Sequence, residues 1–122
     1  MENTPCHFEI PADDVAAAQE FYGGLFGWSF TATPSPEGEY VLISTSQEPG
    51  ALGGALVKRL SQRQMTIYFT VDSIDAAVEK VESLGGSITT PKTAVPKMGW
   101  AVAAQDPQGN TIGLFQVDPE AA

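Results

Sequence analysis

The sequence predicts an α+β fold, a β-α-β-β-β series stated twice. Three observations carry this. Two short runs that alternate in character, His7-Phe8-Glu9-Ile10 and Tyr68-Phe69-Thr70-Val71, open two halves about 60 residues apart. Each run leads into apolar residues at helical spacing that end in glycines. Each half then adds three strand-like runs, the last being Gly53-Gly54-Ala55-Leu56 and Ile112-Gly113-Leu114-Phe115. Two copies of so long a unit argue against a solenoid and for two similar halves that share a cleft. The expected organisation is one domain over residues 1–122, with modules of about 5–59 and 64–118.

In residues 7–10, Phe8 and Ile10 point one way and His7 and Glu9 the other, as the period of a strand requires. Asp13 and Asp14 start a helix from Val15 to Leu25 whose stripe is Val15, Ala18, Tyr22 and Leu25. Gly23, Gly24 and Gly27 surround its end. Trp28 to Thr33 is a strand and Pro34 to Gly38 a turn. Tyr40 to Ser44 and Leu52 to Lys58 complete the first half. The second half runs from a strand at Met65 to Val71 into a helix from Ile74 to Leu84, capped by Asp72 or Ser73. Its stripe is Ile74, Ala77, Val78, Val81 and Leu84, and Gly85-Gly86 ends it. Ser87 to Thr90 is a short strand and Pro91 to Gly99 a loop. Strands at Trp100 to Gln105 and Thr111 to Val117 flank the turn Asp106 to Asn110, and the tail after Asp118 is expected to fray.

A net charge of −9, from 15 acidic and six basic residues, disfavours nucleic acid and anionic membrane surfaces as partners. The N-terminus has no basic segment followed by an apolar run, and no membrane-length apolar stretch follows. A cytoplasmic location is expected. The single cysteine, Cys6, can form no internal disulfide, and strand geometry points it away from its neighbour His7. Lys58, Arg59 and Arg63 lie together between the halves, as a solvated linker or as an anion-attracting rim.

His7-Phe8-Glu9-Ile10, Phe21-Tyr22, Leu25-Phe26-Gly27-Trp28 and Asp106-Pro107-Gln108-Gly109-Asn110 resemble the vicinal oxygen chelate superfamily of glyoxalases, bleomycin-resistance proteins and extradiol dioxygenases. The likeness covers residues 7–117 and extends to a lactoylglutathione-lyase-related branch. It implies two βαβββ modules whose sheets curl round the cleft, and a homodimer. In metal-dependent members four side chains, mainly His and Glu, hold a divalent ion that acts as a Lewis acid. Carried onto this sequence, the ligand positions fall on His7, near Gly54 or Ala55, on Thr66 and on Gly113. One of the four is a ligand.

A single imidazole without its partners does not make a metal site. The expected site is therefore metal-free, with no cofactor, and takes a small organic molecule. Its candidate residues are His7, Glu9, Thr66, Tyr68, Trp100, Gly113 and Phe115. Glycine at 54 and 113 either widens a pocket or lets backbones approach. Trp28 and Trp100 suit core packing, although Trp100 could also stack on a ligand. Two enzymatic alternatives stay open. One is a lyase or isomerase using His7, Glu9 and Tyr68 as acid and base. The other is a divalent-metal enzyme with non-standard ligands. A module serving mainly in protein assembly is a further reading.

Overall fold

Alternation at Phe8 and Ile10 builds the first strand, β1 (Pro5–Ala12), with both side chains in the core and His7 and Glu9 on the other face. The computed structural model describes residues 2–33, 40–59 and 64–122. The expected turn at Pro34 to Gly38, and Arg63, lie outside them. The chain divides into two compact units, His7–Met65 and Met1–Cys6 with Thr66–Ala122.

In the first unit, Asp14 caps α1 (Val15–Phe26) by accepting a hydrogen bond from the Ala17 amide. Gly27 ends the helix in the left-handed region at φ 73°. The strands β2 (Ser29–Thr33), β3 (Tyr40–Ser44) and β4 (Gly53–Lys58) follow. They form an antiparallel meander whose last strand returns parallel to β1, in the order β2-β3-β4-β1. Ile10, Val15, Val41, Ile43 and Leu56 form the core, with Phe8, Tyr22, Trp28 and Phe30 packed against it. Full burial of Leu56 contributes on the order of 2 kcal/mol. Leu25, expected in the helix stripe, is exposed, as are Phe21 and Phe26. Trp28 reaches back under the helix and stacks on Tyr22, taking the place expected of Leu25.

The second unit repeats this topology. The strand β5 (Thr66–Thr70) leads to α2 (Ile74–Ser83), capped by Ser73. The strands β6 (Ser87–Val95), β7 (Gly99–Gln105) and β8 (Thr111–Val117) give the order β5-β8-β7-β6, with β8 parallel to β5. Ile74, Val102 and Leu114 are its core. Leu84 is 75% exposed, because α2 stops at Ser83 and Leu84 lies beyond the last helical turn.

Two further expectations fail here. The segment from Pro91 is no loop: β6 continues to Val95, pairing Thr93 with Ala101 and Val95 with Gly99 after two register shifts. Pro91 is tolerated because β6 ends the strand order, where a missing amide breaks no inner ladder. Nor is the tail frayed. The Asp118 amide donates to the Met98 carbonyl, the Lys97 amide to the Ala121 carbonyl, and Ala121 is 3% exposed. No helix among the described residues is long and apolar enough to cross a membrane.

Candidate active site in the first unit

The face of β1 opposite the core carries His7 and Glu9, two residues apart and aimed the same way. They lie opposite Gly53 and Ala55 of β4. The nearest imidazole and carboxylate atoms, Nε2 and Oε2, are 3.8 Å apart, and the side chains are 28% and 14% exposed. The hydroxyl of Tyr40 joins them, 3.3 Å from His7 Nε2 and donating to Glu9 Oε2 at 3.5 Å. Burial pushes the His7 pKa down from 6.5, so the ring is held neutral at neutral pH.

Tyr40 was not among the candidates from sequence. It pairs with Val57, which pairs with Pro11, so β4 stands between Tyr40 and β1. With strands about 4.8 Å apart, the phenol must lean across β4 to reach its partners. Gly53 and Ala55, opposite His7 and Glu9, are the small residues on this stretch of β4. The second unit exchanges large for small. There Gly99 holds the position that matches Tyr40, and Phe115 the one that matches Ala55. A Cβ on Gly99 would meet the Phe115 ring. Ring on β3 over a small residue on β4 thus becomes ring on β8 over a glycine on β7.

The register also corrects the pairing of glycines. Gly113 lies opposite Tyr68, and its counterpart opposite His7 is Gly53. Gly54 lies opposite Phe8, on the core face. The slip is one residue, which in a strand reverses the face. Neither glycine opens a pocket. A Cβ on Gly54 would strike the Phe8 carbonyl oxygen, and one on Gly113 the Tyr68 ring.

In the second unit Thr66, Tyr68, Gly113 and Phe115 share one face of β5 and β8, as expected, and Thr66 is buried. Trp100 does not join them. It lies on the α2 side with Val102 and Leu114. Its indole N–H donates to Asp118 at 2.9 Å and its ring lies under the Lys92 ammonium. That bond, with the Glu120 backbone amide and the Lys92 charge behind it, holds the Asp118 carboxyl below its ordinary pKa. Lys58 and Arg59 do tie down the start of α1: both bond to Asp13, and Arg59 also reaches the Pro11 carbonyl.

The donor set does not fit the family's metal. No group of three or more His, Cys, Asp or Glu that could hold an ion occurs among the described residues. His7 and Glu9 are flanked on β4 by glycine and alanine, which offer no side-chain donor.

The profile of the Glyoxalase/Bleomycin resistance protein/Dioxygenase superfamily matches residues 5–114. The chain belongs to this superfamily. Among curated relatives, a Mycobacterium bovis protein with a provisional glyoxylase name, CFP32, is 30% identical over 96% of this chain and 47% of its own. The anthracycline biosynthesis protein DnrV of Streptomyces peucetius is 28% identical over 92% of this chain and 46% of its own. The chain thus spans about half the length of these relatives. Among solved structures, methylmalonyl-CoA epimerase of Mycobacterium tuberculosis superimposes with a TM-score of 0.69 at 18% identity, over 95% of this chain and 89% of its own, a likeness of fold.

Proposed function

We propose that the chain binds a small organic molecule on the first unit's His7–Glu9–Tyr40 face, without a metal ion. The observation that carries this reading is the three-way contact itself. It sets a phenol within hydrogen-bonding separation of an imidazole and a carboxylate that are 3.8 Å from each other, half-buried and beside small residues. Such a set recognises carbonyl and hydroxyl groups on an otherwise apolar ligand. The anthracycline relative suggests hydroxylated aromatic ketones as the first probes. A cytoplasmic homodimer remains part of this proposal.

The test is fluorescence titration with a hydroxyanthraquinone in the presence of a chelator. Glu9→Gln is expected to weaken binding about tenfold or more, since hydrogen bonds to charged groups contribute about 1.5–3 kcal/mol, and His7→Ala, whose ring is neutral, several-fold, at about 0.5–1.5 kcal/mol. Binding that needs added metal, or that both variants retain in full, would contradict the proposal.

A second reading follows from the same contact. Imidazole, phenol and carboxylate in series form a path for a proton, so a lyase or isomerase related to lactoylglutathione lyase is the enzymatic alternative, with Tyr40 in the place first given to Tyr68. Turnover of a thiohemiacetal of methylglyoxal that His7→Ala abolishes would favour it.

A further inference from the structure

Resting on the metal-free reading of the His7–Glu9–Tyr40 face, we propose that Gly53 is a specificity-determining residue, which leaves room for a flat ligand of two or three fused rings with a hydroxyl at each end. Among the described strand residues, Gly53, Gly99 and Gly113 lie on faces turned away from the helices. Rings fill the space over two of them, Phe115 over Gly99 and Tyr68 over Gly113. Over Gly53 the space is open. A Cβ built there would meet no side chain of the described residues within 4 Å, only the Ile43 carbonyl oxygen at 3.0 Å. Ala55 and Val57, further along β4, are buried, whereas Gly53 is partly exposed.

The register sets what flanks this opening. His7 lies opposite Gly53 on one side, with Glu9 two residues on. On the other side Ile43 pairs with Gly54, so the next residue, Ser44, stands beside Gly53 and faces the same way as His7. Two strand spacings put these walls about 10 Å apart, room for fused rings laid flat over Gly53. Leu42, on the Ser44 wall and 41% exposed, gives the rings an apolar contact. Both walls accept hydrogen bonds. Glu9 does so as a carboxylate, and Ser44 through the lone pairs of a hydroxyl whose proton is directed at the Ser46 carbonyl, 3.4 Å away. A hydroxyl at each end of the ligand meets them. The second unit has no matching opening, since the Tyr68 ring covers the glycine opposite it.

The experiment is fluorescence titration, with chelator present, of wild type, Gly53→Ala and Gly53→Val. The probes are an anthraquinone with a hydroxyl on each outer ring and the one-ring 2-hydroxyacetophenone. Wild type is expected to prefer the three-ring probe. Gly53→Val, its fold checked by thermal unfolding, is expected to lower that preference about tenfold or more, and Gly53→Ala less. Should Gly53→Val not fold, transfer of magnetisation from the three-ring probe's protons to the Gly53 α-protons of wild type gives the same answer. No preference in wild type, an unchanged preference in both variants, or no contact at Gly53 overturns the proposal, while the metal-free reading stands. If wild type binds neither probe, or binds only with added metal, both fall.

Discussion

At the scale of single residues, position in the register decides what a side chain can do. Gly113 and Gly54 look alike in sequence, yet one seats the Tyr68 ring and the other abuts the Phe8 backbone. Gly113→Ala is expected to cost about 1–3 kcal/mol, because an aromatic ring has to shift. Gly54→Ala is expected to cost more, because a carbonyl oxygen cannot. Chemical denaturation of the two variants measures the order. His7 gives a pH prediction. Its folded pKa lies below 6.5, so the unfolded chain takes up the proton first. The His7 contribution therefore leaves stability untouched above the unfolded value and lowers it as pH falls below 6.5 toward the folded pKa. His7→Gln should flatten that part of a denaturation-midpoint profile. The shared face of His7 and Glu9 was legible from alternation alone. Tyr40 was not, because its partners lie two strands away and strand order is not written in local spacing. Trp100 takes the core-packing role expected of it and not the ligand-stacking one, because its register puts it on the α2 face, the one opposite Gly113.

At the scale of elements, most boundaries followed from local chemistry. Asp14 and Ser73 cap the two helices through their side chains. Asp14→Ala or Ser73→Ala should each cost about 1 kcal/mol, read from thermal or denaturant unfolding. The elements that sequence misjudged are held by distant partners. Prolines made Pro91 to Gly99 look irregular, but pairing with β7 keeps β6 extended to Val95. Acidic composition made the tail look loose, but Asp118 bonds to Trp100 and Ala121 fills a buried position. A chain ending at Val117 should melt at a lower temperature than the full chain. The Asp118 share of that difference is present above the ordinary carboxylate pKa of 3.8 and lost as pH falls through the lowered value.

At the scale of the molecule, the repeat is structural and the chemistry is not repeated. Both units show the same strand order, the same parallel return and a capped helix over the sheet. Their faces opposite the helices differ: His7, Glu9 and Tyr40 on one, Thr66, Tyr68 and Phe115 on the other. Of the positions that would hold metal in metal-dependent members of the superfamily, only His7 carries a usual ligand here. The central claim is that the site works without a metal ion. Elemental analysis of protein expressed in metal-replete medium and purified without chelator tests it most directly. Divalent metal far below one ion per chain is the predicted result. One tightly held ion per chain, lost in His7→Ala, would contradict it.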